Sequence, residues 1–219
     1  LGIGAGWYEL EHRQLGFDFG TFGDRFDKLG EALAIVAPML RGERPTVTGT
    51  YYRTESAINE PRVRDDLPIL IGGSGERKTF RFAAQYAAHL NVICDDHLLP
   101  AKLDALAQRC AEAGRDRSTL ETSFLGFVFL DEDGDRARLL HKEFARSRGI
   151  DLDGMDEATR KAVTARHFVG GPDEVAEQVQ TRVLDAGIDG FVFNLVANGH
   201  EPGVVDLAGR TLGPLVHRG

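Results

Sequence analysis

The chain has almost no cysteine. Cys94 and Cys110 are the only two, far apart and without metal-type spacing, so neither a disulfide framework nor a cysteine zinc site is expected and a reducing cytoplasm fits. No apolar run approaches the roughly 20 residues that span a bilayer, and the start lacks the basic-then-apolar order of a signal peptide. The expectation is a soluble, cytoplasmic protein with no membrane partner. Positive charge is also short: 34 acidic against 26 basic residues give a formal net charge of -8, a field that repels polyanions and argues against nucleic acid as a partner. Four catalytic signatures are missing as well: the G-x-S-x-G elbow, H-E-x-x-H, clustered cysteines and the kinase set. An enzyme without them draws its chemistry from a bound organic cofactor.

What is present is an ordinary globular composition, 42% hydrophobic over 219 residues, enough for a sizeable core. Phe22, Phe26, Leu29, Leu33, Val36 and Leu40 recur at the spacing of an amphipathic helix, and Gly42 lies just beyond as a stop. Residues 46–53, β-branched and aromatic around a glycine, read as a small hairpin within an insertion near 43–67. Five core strands are expected, at 1–6, 69–71, 90–94, 124–130 and 190–196, with helices at 76–88, 98–113, 136–147 and 172–186. Four of the strands are short continuous apolar runs, which predicts a parallel sheet covered on both faces and an α/β class. Five strands suit an open doubly wound sheet, whereas a start in mid-fold suits a barrel lacking its first units. The acidic run Asp131-Glu132-Asp133-Gly134-Asp135 reads as a solvated turn between strand and helix, and Gly171-Pro172-Asp173-Glu174 as the first turn of a helix.

Two glycine-rich turns stand out. In Gly72-Gly73-Ser74-Gly75 the missing side chains let an anion approach backbone N–H groups at the carboxyl end of a strand. The pattern is neither a dinucleotide fingerprint nor a P-loop, so a phosphate cradle and a tight βα turn both remain open. Gly4-Ala5-Gly6-Trp7-Tyr8-Glu9-Leu10-Glu11-His12 offers backbone approach, an apolar wall in Trp7, and proton carriers in Glu9 and His12; a packed Trp beside solvated acids is the plainer alternative. Asn91, Asp95, Asp96, His97, Asn194, Asn198 and His200 sit near strand ends, to line a pocket or to close turns. His141, His167 and His217 have no partner at suggestive spacing and read as surface or helix histidines.

In order, Leu1-Gly-Ile-Gly-Ala-Gly-Trp-Tyr-Glu, Glu11-His12, Phe22-Gly-Asp-Arg-Phe-Asp, Gly42-Glu-Arg-Pro, Pro68-Ile-Leu-Ile-Gly-Gly-Ser-Gly-Glu and Phe168-Val-Gly-Gly-Pro-Asp-Glu-Val resemble the luciferase-like monooxygenase superfamily. The match looks closest to the branch, common in actinobacteria, that uses the deazaflavin coenzyme F-420 (hereafter F420). The resemblance implies one (β/α)8 TIM-barrel-type domain over 1–219, of which the chain holds about the last five βα units, roughly a hundred residues lying upstream in related proteins. It implies coenzyme phosphate on Gly72, Gly73, Ser74 and Gly75, and Gly6 and Trp7 beside the ring or the substrate. Glu9 and His12 remain catalytic candidates, and no metal is called for. The implied function is hydride transfer between F420 and a small organic substrate, with a homodimer as an option. An FMN-dependent monooxygenase of the same fold and a non-catalytic interaction subunit are the alternatives.

Overall fold

A computed structural model describes residues 1–216 of the chain. In order it comprises β1 (Gly2–Ile3), α1 (Glu9–Leu15), α2 (Phe22–Leu40), β2 (Val47–Thr48), β3 (Arg53–Thr54), β4 (Leu70–Gly72), α3 (Thr79–Tyr86) and β5 (His89–Val92). It continues with α4 (Leu99–Glu112), β6 (Glu121–Leu130), α5 (Gly134–Ser147), α6 (Glu157–Val163), β7 (His167–Gly170), α7 (Pro172–Val179), β8 (Gly190–Asn194) and α8 (Val204–Val216). No helix among the described residues is long and apolar enough to cross a membrane. The chain divides into two compact units.

The first unit holds Leu1–Leu90 and Leu106–Leu120. Its strands β1 and β4 run parallel with Gly2 opposite Leu70 and Ile3 opposite Ile71. The expected helix at 22–40 forms with those bounds and buries Leu29, Leu33, Ile35 and Ala37. Thr21 caps it reciprocally: its hydroxyl accepts from the Asp24 N–H, and the Asp24 carboxylate accepts from the Thr21 N–H. The hairpin β2–β3 is antiparallel, as expected. It is tied to α2 by Glu31, whose carboxylate accepts the backbone N–H groups of Thr50, Tyr51 and Tyr52 at 2.7–2.8 Å. Burial opposes the Glu31 charge, yet these three donors hold its carboxyl below the usual carboxylate range.

The second unit takes Asn91–Ala105 and the chain from Glu121 on. Its axis is β6, ten residues long, with both β7 and β8 parallel to it: Phe127 to Leu130 stand opposite His167 to Gly170, and Ser123 to Phe127 opposite Gly190 to Asn194. Phe124, Val128, Phe129, Leu130 and Phe168 are fully buried there. Asp131 to Asp133 form the strand-to-helix turn and Gly134 and Asp135 already begin α5, which Asp133 caps by accepting from the Asp135 N–H.

Three sequence expectations are corrected. A strand not anticipated, β7, forms from His167, a residue expected on a surface or helix. The first strand is only Gly2–Ile3, and residues 9–15 beyond it are helical although their sequence carries no apolar stripe. Coverage on both faces fails for β8, where Val192 and Asn194 are exposed.

Candidate cofactor site

The two glycine turns leave neighbouring strands at one level. Because Ile3 pairs with Ile71, Gly4 and Gly72 follow side by side at the carboxyl ends of β1 and β4, the edge at which α/β proteins gather ligands. Around Gly72 the place of a β-carbon is empty out to 4 Å. Gly73 has φ 138°, open to glycine alone. At Gly73 and Gly75 a β-carbon would meet Thr79 at 3.3 and 3.0 Å, so backbone packs directly on the buried first residue of α3. The turn closes where the Phe80 N–H donates to the Gly75 carbonyl at 3.1 Å. The helix begins at Thr79 rather than at Glu76, because residues 76–78 continue the turn. Lys78 is engaged by Asp27 at 3.3 Å, and Arg77 is exposed.

On the other turn Gly6 has φ 76°, and its carbonyl accepts from Arg25 Nε at 3.2 Å. The Arg25 guanidinium also donates to the Gly20 carbonyl and lies 3.8 Å from the centre of the Phe19 ring, so one side chain fixes both loop ends. Trp7 is 83% exposed and touches the Tyr8 ring, which overturns the packed-Trp alternative. Glu9 and His12 lie three apart on α1, hence on one face. His12 Nδ1 lies 2.9 Å from the Tyr8 carbonyl, which only accepts, so Nδ1 carries the hydrogen and Nε2 of the neutral ring is a bare acceptor. That Nε2 lies 3.0 Å from where a Gly6 β-carbon would be. His12, Arg25, Ala5, Tyr51 and Tyr52 line a cavity of about 470 Å³.

Asp24 borders this region with a carboxyl lowered to about 2, chiefly by the Thr21 N–H, then by the hydroxyls of Thr21 and Tyr51. The Tyr51 hydroxyl, 2.8 Å from Asp24, is raised by the same bond and keeps its proton. The arrangement therefore offers side-chain-free backbone, aromatic walls and one imidazole oriented through Nδ1. Of the glycines in the 72–75 turn, Gly72 leaves room for an anion, whereas at Gly73 and Gly75 the missing β-carbons serve packing on Thr79.

Of the remaining candidates, three make structural contacts. Asn91 and Asn198 are buried and donate to Ser123 Oγ and to the Leu130 carbonyl. Asp96 pairs with Arg182 at 2.7 Å. Asn194 and His200 are exposed, and His217 lies outside the described residues. Sequence reasoning missed a contact: His141 Nε2 and His167 Nδ1 meet at 2.9 Å across 26 positions. No local spacing announces a pair so distant in the chain.

A family model described as luciferase-like monooxygenase matches residues 1–190. The F420-dependent glucose-6-phosphate dehydrogenase of Nakamurella multipartita is 31% identical over 92% of this chain and 62% of its own length. The F420-dependent hydroxymycolic acid dehydrogenase of Mycobacterium tuberculosis is 29% identical over 88% of this chain and 55% of its own. The chain thus spans less than two thirds of these curated relatives. Among solved structures, an F420-dependent secondary alcohol dehydrogenase with an F420-acetone adduct superposes with a TM-score of 0.74 at 20% identity, over 99% of this chain and 69% of that one. The likeness shows the fold, an α/β chain of the luciferase-like TIM-barrel type.

Proposed function

This chain belongs to the luciferase-like monooxygenase family, and we propose that it works in an oxidoreductase moving hydride between coenzyme F420 and a small organic substrate. The observation that carries the reading is the pair of glycine turns side by side at the carboxyl ends of β1 and β4. The names of the relatives in two genera supply the choice of coenzyme. When bound, the deazaflavin ring supplies the carbon that accepts or gives hydride. Backbone N–H groups of Gly72, Gly73, Ser74 and Gly75 hold the phosphate, and Gly6 and Trp7 border the ring or substrate. His12, fixed through Nδ1 on Tyr8, offers Nε2 to take a proton, with Glu9 one turn before it. Tyr51 is no acid here, since Asp24 holds its proton. The same reading places the reaction in the cytoplasm, with a second copy of the chain as partner.

Side-by-side titration with F420 and FMN, followed by fluorescence and melting temperature, tests the proposal. F420 at a hundred times its Kd stabilises the folded chain by about 2.7 kcal/mol. The informative variant is Gly72→Asp: its side chain enters open space and places a carboxylate at the phosphate, whereas Gly73→Asp would also force φ 138° on a residue that resists it. Gly72→Asp should weaken F420 at least about tenfold, some 1.4 kcal/mol, at an unchanged melting temperature of the free protein. Unchanged affinity removes the phosphate assignment. Binding of FMN alone replaces the reading with an FMN-dependent monooxygenase, and binding of neither means that this chain by itself does not complete the coenzyme site.

A further inference from the structure

The second unit carries a pocket of about 290 Å³ that the coenzyme reading does not use. His141 of α5 and His167 of β7 form one wall, both rings against Phe129 with centroids 4.6 and 5.5 Å away. Lys161 of α6, Asp96, Gln178 and Arg182 are also in the lining. Arg182 stands in a π-helical turn, Gln180–Leu184, that follows α7; such turns are uncommon and concentrate at functional sites. Its guanidinium donates to Asp96 at 2.7 Å and to the carbonyls of His167 and Ala165 at 2.9 Å, and it lies 4.4 Å from the centre of the Phe168 ring.

The lining carries two cations, Lys161 and Arg182, and one carboxylate, Asp96. The groups acting on His167 are His141 from α5, Arg166 beside it in the chain and Arg182 from the π turn. Lys161 and Asp96 line the same space, and Asp96, its one carboxylate, is neutralised by Arg182. Lys161 has no carboxylate partner among the described residues. Two imidazoles joined by one N–H···N bond use a single hydrogen between their facing nitrogens. Of the two outer nitrogens of the neutral pair, one then carries a hydrogen and the other is bare. A proton taken from solvent onto the bare nitrogen keeps the inner bond and adds one positive charge and one donor.

We infer that this pocket binds a small oxyanion of the sulfate or phosphate class, and that docking is coupled to uptake of one proton by the His141–His167 pair. Burial first, then His141 and the guanidinium groups of Arg166 and Arg182, lower His167 to about 4, and burial lowers His141 as well, so the empty pair is neutral at pH 7.5. An anion close to the rings supplies the opposing charge that lifts both. Lys161 sets the attraction, and the pair makes it depend on pH.

Calorimetric titration of the chain with sodium sulfate at pH 5.5 and 7.5, at ionic strength fixed with sodium chloride, decides the matter. Sulfate does not change charge over this range, so a pH dependence belongs to the protein. One site is expected, bound about tenfold tighter at pH 5.5, with proton uptake revealed by repeating the titration in buffers of different ionisation enthalpy. His141→Gln should abolish the pH dependence, and Lys161→Ala should weaken binding several-fold at both pH values. Absence of saturable binding at pH 5.5, or binding unchanged in both variants, overturns the inference. Should His141→Gln fail to fold, the imidazole proton resonances of the unaltered chain decide: sulfate must move those of His141 and His167, and movement confined to other histidines refutes the site.

Discussion

Gly126 stands in the middle of β6, and a β-carbon there would fall 2.6 Å from ring carbons of both Phe168 and Phe191. The three rings of Phe124, Phe168 and Phe191 contact one another, with centroids 5.0–6.2 Å apart, and Phe168 is fully buried, so it has nowhere to retreat. Two effects compete in Gly126→Ala. Relief of backbone entropy favours alanine by about 0.5–1 kcal/mol, whereas forcing a methyl into a packed site costs about 1–3 kcal/mol. Contact at 2.6 Å with two rings makes overpacking the larger. A net loss of about 2 kcal/mol is expected in urea unfolding, and Phe191→Leu in the same chain should recover part of it by opening space on the less buried side. A Gly126→Ala chain as stable as the original would mean that the rings move freely.

At the scale of elements, the end of α3 depends on a residue remote in sequence. Arg115 donates through Nη1 to the carbonyls of Ala83, Ala84 and Ala87, the last at 2.6 Å, while Nε and Nη2 grip Thr119. The last carbonyls of a helix lack partners within it, and a cation there also answers the helix dipole. Charge-assisted bonds contribute about 1.5–3 kcal/mol, so Arg115→Met should cost about 2–3 kcal/mol and raise amide exchange in α3 first. Arg115→Lys, with one ammonium for several carbonyls, should recover less than half; full recovery would show that charge alone matters. No pattern around 115 foretold this bond, since it joins segments about 30 residues apart. Local signals fared better: six apolar residues placed α2 to the residue, and the glycines of the two turns were visible because backbone freedom is a property of residue type. Short elements escaped for definite reasons. α1, Glu-Leu-Glu-His-Arg-Gln-Leu, is almost wholly polar, with no buried residue to create a periodicity. β7 has four residues and ends in a glycine at φ 147°, which reads as a turn until β6 is set beside it. Gly75-Glu76-Arg77 looked like a helix start, but the chain needs residues 76–78 to finish the turn.

For the whole molecule, titration on the acid side acts in one direction. Carboxyls throughout the chain are lowered by local donors: Asp24 to about 2 by Thr21 and Tyr51, Asp156 by Thr159, Asp116 by Ser118, and Glu174 by the Gly171 N–H and then Arg138. Their ordinary values are 3.8 and 4.5, so the unfolded chain binds more protons below that range. Their stabilisation is fully present above about 4.5 and is lost as pH falls toward 2. His141 and His167 extend the slope upward. Burial lowers both, His167 from 6.5 to about 4, so again the unfolded chain binds the extra proton, and stability is present above 6.5 and lost as pH falls toward 4. The two windows abut. In chloride buffer free of sulfate, the melting temperature should be level near neutrality, fall from pH 6.5, and fall more steeply below 4.5 as the more numerous carboxyls join. His167→Gln should flatten only the upper part, leaving the carboxylate part intact. A chain already level down to pH 4.5 would show that its histidines protonate as readily folded as unfolded, and the buried pair would lose its place in the acid response.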